Sequence, residues 1–292
     1  MRFREGYATS RSGLKLYWRI DGLAGPTLVC CNGAGVSTFF WEPFARQLSS
    51  EYQVVRFDWR GHGRSDSPPD PRDVSIERCA EDLSDLMDAL RLERAVLLGH
   101  SAGAQVSFEL FRRQRARVAA LIPTLATYRR ALESFLDTRL FLGAFEVIRR
   151  GVDAAPELLS RIARPLFTSG AAERVARLVG LVDPALAPHE FMVPLMEHLI
   201  RIDLRTLVAM ASEAQRHDAT DVLPTIDVPT LVVAAERDVF TPPRLAREMA
   251  EAIPGAELLV MPNATHAALI EQPDLLCLRV AKFLEERVYP RR

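Results

Sequence analysis

Ala95-Val96-Leu97-Leu98-Gly99-His100-Ser101-Ala102-Gly103 runs from four apolar residues through a glycine-flanked serine, and a helical pattern over Gln105–Arg113 follows directly. The apolar run reads as a short strand buried on both faces. Gly99 and Gly103 permit a tight turn that forces Ser101 into a strained backbone conformation, and the helix that starts next aims its first N–H groups at the same spot. Strand, G-x-S-x-G turn and helix in register make Ser101 a candidate nucleophile.

Outward from this elbow, similar apolar runs recur at Thr27–Cys31, Val54–Phe57, Val118–Ile122, Thr230–Ala235 and Glu257–Met261. Helical patterns separate them. In one, Cys79, Leu83, Leu86, Met87 and Leu90 share a face while Asp82 and Asp85 are expected to point elsewhere. Others cover about Pro242 to Ile253 and about Asp274 to Val288. Gly6 to Ile20 alternates polar and apolar residues around Ser12-Gly13, the pattern of an antiparallel hairpin. Strands alternating with helices require crossover connections, so the expected fold is α/β, a mainly parallel central sheet with helices on both faces.

From about Tyr128 to about Thr220 strand signals vanish, and Ala-, Leu- and Arg-rich helical patterns take over, with breaks expected at Pro156, Pro165, Pro184, Pro188 and Pro194. The expected organisation is a core formed by 1–127 and 221–292 with an inserted helical cap over 128–220. Ligands of such sheets bind beyond the carboxyl ends of the strands, where an insertion after Val118–Ile122 emerges. The cap is therefore expected to cover the site, hinging near Thr124–Thr127 and Thr220–Pro224.

A serine hydroxyl needs a base, normally a histidine oriented by a carboxylate. Of six histidines, His266 lies in the small-residue loop Asn263-Ala264-Thr265-His266-Ala267 at a strand end, whereas His189, His198 and His217 fall in the insertion and suit packing or surface roles. His62 and His100 flank candidate site loops. The acid belongs between Ser101 and His266, where Glu236-Arg237-Asp238 follows a buried run; Asp238 is preferred because Glu236 is closer to the strand and can face away. Negative charge on a tetrahedral intermediate needs preorganised donors. The amide of Ala102 is one candidate, and the loop Asn32-Gly33-Ala34-Gly35 offers another.

Together these residues resemble the α/β-hydrolase superfamily, in its serine hydrolase branch with a helical cap, over nearly the whole chain. Asp58-Trp59-Arg60-Gly61-His62-Gly63-Arg64-Ser65 is similar to that family's D-x-R-G-x-G-x-S loop, Thr230 through Pro243 to its acid-bearing segment, and Ala264-Thr265-His266 to its histidine loop. The resemblance implies Ser101, Asp238 and His266 as catalytic triad and the amides of Ala34 and Ala102 as oxyanion hole. One departure is Asn32-Gly33 where the family usually has His-Gly; the donated amide is unaffected, and Asn can still hold the loop by hydrogen bonds. Serine rather than aspartate at position 101 argues against the epoxide hydrolase and dehalogenase branches. The implied activity is hydrolysis of a carboxylic ester or lactone through an acyl-enzyme. Carbon–carbon bond hydrolysis or lyase-like chemistry with the same triad is the alternative within enzymes, and a ligand sensor retaining the fold is the alternative outside them.

A small-molecule acyl substrate is the expected partner, with no cofactor and no metal. Net charge −1, from 37 basic and 38 acidic residues, supplies no overall field for nucleic acid or an anionic membrane. No apolar run reaches spanning length, and the four cysteines lack metal-site spacing and a disulfide framework, so a cytoplasmic setting is expected. Nothing in the pattern fixes the oligomeric state. Within the cap, Phe145 and Met192 are candidate substrate-binding residues, among apolar positions that also include Phe135, Phe167, Leu195 and Met196; Arg139, Arg149, Arg150 and Arg201 can meet an anionic substrate or face solvent.

Overall fold

The computed structural model of the chain describes residues 2–133, 140–178, 180, 182–183, 185–187 and 189–290. Phe135, Arg139, Pro184 and Pro188 lie outside the described residues, as does the side chain of His189. The opening hairpin is β1 (Phe3–Thr9) and β2 (Lys15–Asp21), turning at Gly13 with φ of 85°. There follow β3 (Thr27–Cys31), α1 (Glu42–Leu48), β4 (Gln53–Phe57), α2 (Ile76–Ala89), β5 (Ala95–His100), α3 (Ala102–Gln114) and β6 (Val118–Thr124). After the insertion come β7 (Leu231–Ala235), and the chain closes the sheet with a last strand, Glu257–Met261.

The eight strands form one sheet in the order β1-β2-β4-β3-β5-β6-β7 and then that last strand, β8; the β1–β2 and β2–β4 pairs are antiparallel and the others parallel. The chain leaves β3 for β4 on one side and then crosses back to β5 on the other. Loops after β3 and β5 consequently diverge at neighbouring strand ends, the place where doubly wound sheets open a crevice. The apolar runs explain the layers, because β5 and β7 are buried at every position and need cover on both faces. One face packs on α2 and α3, the other on α1 and α11 (Pro273–Phe283), which extends by a π-turn over Leu284–Val288. Between β8 and α11 lies the short α10 (Ala268–Glu271), and α9 (Pro243–Ala252) precedes β8.

Asp82 departs from expectation. It is buried rather than turned away, because the Arg60 guanidinium forks onto it with Nε–Oδ2 of 2.6 Å and Nη2–Oδ1 of 2.7 Å.

The insertion carries five helices among the described residues: α4 (Leu140–Ala154), α5 (Pro156–Thr168), α6 (Ala171–Leu178), α7 (His189–Arg201) and α8 (Leu204–Arg216). Its two ends meet, with Arg129 bridging Asp218 and Ala219 N–H donating to Tyr128 C=O at 2.9 Å. Pro165 and Pro194 lie inside α5 and α7 instead of ending them; these two helices pack on each other, and tertiary packing of this kind carries a helix past a missing N–H.

Candidate functional site

Ser101 sits between β5 and α3 with φ of 51° and ψ of −122°, a backbone region that side chains other than glycine seldom adopt. The strain is held from outside. A Cβ on Gly99 would lie 2.4 Å from Ala104 Cα and one on Gly103 2.3 Å from the Cys31 carbonyl, so only glycines let strand, turn and helix approach this closely. Ser101 N–H also donates to Thr124 C=O at 3.1 Å, tying the turn to β6.

Asp238 and His266 come together from the ends of β7 and β8. His266 Nδ1 and Asp238 Oδ2 are 2.8 Å apart. The other bonds to Asp238 come from Phe240 N–H at 2.8 Å, Thr241 N–H at 2.9 Å and Thr241 Oγ1 at 2.6 Å. Burial pushes its pKa up, but the facing His266 and the bonds from His266 and Thr241 outweigh that and hold it below the usual carboxylate value. Glu236 instead turns away and accepts from Asn263 N–H at 2.8 Å on the exposed side of the loop.

The loop after β3 faces Ser101: a Cβ on Gly33 would come within 3.1 Å of Ser101 Cβ and 2.8 Å of His100 Nδ1. Asn32 supports this loop as its residue type allows, its side-chain Nδ2 donating to Phe57 C=O, while its backbone carbonyl accepts from Trp59 Nε1 at 2.7 Å. Gly35, at φ of 73°, donates its N–H to His62 Nε2 at 3.3 Å, and His62 Nδ1 lies 3.1 Å from Arg60 C=O. These partners assign Nδ1–H as donor, so His62 is neutral, and burial lowers its pKa to about 4. The loop of Asp58 to Ser65 is thus a brace: Asp58 accepts from Thr38 N–H at 2.7 Å and Arg64 N–H at 2.9 Å. His100, beneath Gly33, is buried with its pKa pushed down to about 3 by burial and by His266. Its Nε2 lies 3.3 Å from His266 C=O.

Ser101 and His266 open onto a cavity of about 430 Å³ that Ala34, Val36 and Phe240 line from the core. From the insertion come Phe167, Val175, Val182, Leu195, Met196 and Leu199, all apolar. Phe145 and Met192 are not among its walls, a correction to the sequence reading. Phe145 lines a separate cleft of about 580 Å³ with Leu132 and Arg149, because α4 packs on α8 away from Ser101. Met192 is fully buried in the core beneath that wall, one turn before Leu195 and Met196 on α7. Arg149 and Arg150 pair with Glu146, and Arg201 with Glu197 beside a polar cleft of about 720 Å³ that Ser101 does not line. His198 and His217 are buried. No group of three or more His, Cys, Asp or Glu side chains suited to a metal occurs among the described residues, whose cysteines are all free and buried. No described helix is long and apolar enough to cross a membrane.

Residues the sequence reading did not single out are Thr241, Phe240 and Glu271. The Phe240 ring lies tilted against that of His266, centroids 4.9 Å apart. Glu271 offered one signal, a lone charge in the run Ala267-Ala268-Leu269-Ile270-Glu271.

An eight-stranded sheet with this elbow and this Asp–His contact at its carboxyl edge defines a hydrolase architecture, and the chain belongs to the alpha/beta hydrolase fold family, whose model matches residues 26–273. It is a hydrolase. Among curated relatives it is 31% identical over 280 residues to "Putative carbamate hydrolase RutD" of Caulobacter sp. (strain K31), covering 92% of this chain and 95% of that one. A protein of the same name from Agrobacterium fabrum is 29% identical over 277 residues, with 92% and 97% covered. Among solved structures, the enol-lactonase from Burkholderia xenovorans LB400 superposes with a TM-score of 0.75 at 26% identity, covering 96% of this chain and 100% of that one.

Proposed function

We propose that the chain hydrolyses carboxylic esters or lactones with an apolar acyl group, through an acyl-enzyme on Ser101. The observation that carries this reading is the 2.8 Å bond between His266 Nδ1 and Asp238, beside a strained Ser101 that shares one apolar cavity with His266. Ionised Asp238 accepts from Nδ1–H, which leaves Nε2 of His266 as the base that takes the Ser101 proton. The serine oxygen then attacks the acyl carbon, and the oxyanion is received by the amides of Ala34 and Ala102, each such donor being worth about 3 kcal/mol in the transition state. His266 returns the proton to the departing alcohol, and water repeats the cycle to release the acid. His100, neutral at its pKa of about 3, adds no second positive charge beside His266 when the imidazole is protonated. The helical insertion is read as a cap that shapes the acyl pocket.

Carbamate hydrolysis is the second reading, favoured by the names of the relatives just described. The same triad suits either acyl carbon; the apolar walls favour the ester. The test is a panel of aryl esters, lactones and a small carbamate, run with active-site labelling by a fluorophosphonate. Labelling of Ser101 with turnover of apolar esters above the carbamate is expected. Carbamate turnover alone would install the second reading, and absence of labelling together with absence of turnover would favour a ligand sensor.

A further inference from the structure

Glu271 ends α10 just beyond His266, and its side chain is buried. Both carboxylate oxygens are occupied. Oε2 accepts from Thr265 N–H at 2.8 Å, while Oε1 accepts from Thr265 Oγ1 at 2.6 Å and from Asp183 N–H at 2.7 Å. Thr265 precedes His266, so the first two bonds fix the backbone from which the imidazole projects. The third arrives from the insertion. Asp183 in turn accepts from Arg237 Nη1 at 2.7 Å, and Arg237, the neighbour of Asp238, donates its own N–H to Ala264 C=O at 2.9 Å. Val182 lines the Ser101 cavity. The segment Val182–Asp183 therefore touches the cavity, the histidine loop and the acid loop together.

We infer that Glu271 is a positioning residue for His266, and that its bond from Asp183 N–H makes the alignment of the imidazole depend on the seating of Val182–Asp183 against the core. The inference rests on the hydrolase reading given above. Its physical basis is the cost of leaving a buried carboxylate short of donors. When the segment lifts, Oε1 loses one of its two partners, and the carboxylate recovers hydrogen bonding only by shifting, which slackens its grip on Thr265. Seating of the segment around a substrate acyl group restores the grip. Glutamine does not substitute, because its NH2 must oppose the N–H of Thr265 or that of Asp183, donor against donor.

A double-mutant cycle of Glu271→Gln and Arg237→Met tests this in the full chain. Arg237 is half exposed, so its replacement removes the anchor of Asp183 without opening the core. Two readouts apply: kcat and KM for a short-chain aryl ester, and amide hydrogen exchange of residues 263–267, which needs no turnover. Glu271→Gln is expected to lower kcat by about 10- to 100-fold, as small misplacements of catalytic groups do, with KM within about threefold and faster exchange at 263–267. Arg237→Met is expected to lower kcat about threefold to tenfold and to speed the same exchange. In the Glu271→Gln background it should do nothing further, within about twofold. Wild-type exchange in either single variant, or effects that simply multiply, would overturn the coupling. If Glu271→Gln does not fold, exchange at 263–267 in Arg237→Met decides the matter alone. Failure of the hydrolase reading would show separately, as wild-type protein that neither turns over esters nor takes up a fluorophosphonate.

Discussion

The sheet core with its loops and the helical insertion above it are built by different means. Below, buried charge is matched donor for donor: Arg60 forks onto Asp82 and reaches Asp73, Arg56 meets Asp21 and Glu42, and Asp238 has four bonds. Above, Leu178 is 85% and Val147 71% exposed, and Glu146 with Arg149 and Arg150 forms pairs of the exposed helix-surface kind, which contribute little. A matched buried network has one satisfied arrangement and fixes geometry. Apolar contacts between helices tolerate sliding and substitution far better. On the reading proposed above, the division gives precision to the core loops and selectivity to the insertion, and each prediction below presses on one side of it.

The largest effect belongs to the core. Ser101→Ala is expected to reduce ester turnover by about six orders of magnitude, as removal of a triad serine does, with thermal stability within ~2 °C of wild type because the hydroxyl contributes little packing. Retained turnover in the purified variant would end the assignment of Ser101. Asp238→Asn should come next, at about 10⁴-fold in kcat, since the amide favours the wrong imidazole tautomer. Glu236→Gln, altering a side chain on the outer face of the same loop, should stay within about threefold. A reversed order between these two would transfer the acid role.

The same division governs what the sequence discloses. The strands are readable because a sheet covered on both faces demands continuous apolar runs, and β5 and β7 comply at every position. Ser101, Asp238 and His266 are readable as candidates because each directly follows such a run. The braces are not. Glu271 shows only as a lone charge in an apolar run, and no local pattern announces the bond it accepts from Asp183, 88 positions away in the insertion. Asp82 misleads for a related reason: polar spacing on a helix signals solvent unless a partner such as Arg60 comes from elsewhere. In the insertion, helical periodicity marks Phe145, Met192, Leu195 and Met196 alike as apolar, while which of them face Ser101 depends on how α4 and α7 are rotated against the core.

The boundary between the two regions holds a pair of buried histidines, and it yields a prediction of intermediate size. His62 from the core faces His198 from α7 with ring centroids 5.9 Å apart. Burial lowers both pKa values to about 4, His198 being pushed further by His62 and Arg201. Their folded pKa lies below the unfolded value of about 6.5, so the unfolded chain takes up protons first as pH falls, and stability is lost from about pH 6.5 down to about 4. Asp58 opposes this, since burial raises its pKa to about 6 and the folded state then holds the extra proton. Between pH 7 and 5, His62→Gln should remove about 2 kcal/mol of the acid-induced loss in urea unfolding. An unchanged pH slope would mean that His62 is not held neutral in the folded protein.

The smallest effect is the one that tests the insertion directly. Val175 on α6 and Met196 on α7 line the Ser101 cavity, whereas Phe145 on α4 lines a different cleft. A tryptophan at 175 or 196 fills space that a long acyl chain would occupy but leaves the elbow, Asp238 and His266 untouched. Apolar pockets discriminate by about 1–3 kcal/mol per methylene gained or lost. The ratio of kcat/KM for an octanoyl over an acetyl aryl ester is therefore expected to fall by about 10- to 100-fold in Val175→Trp and Met196→Trp, with the acetyl ester within about threefold of wild type. Phe145→Trp serves as the contrast, since it enlarges a side chain on the same insertion without entering the cavity, and its ratio should match wild type. If Phe145→Trp moves the ratio as far as the other two, selectivity does not come from the walls of this cavity. If none of the three moves it while all remain folded, the insertion is not the specificity element, and the division between a precise core and a selective cap fails.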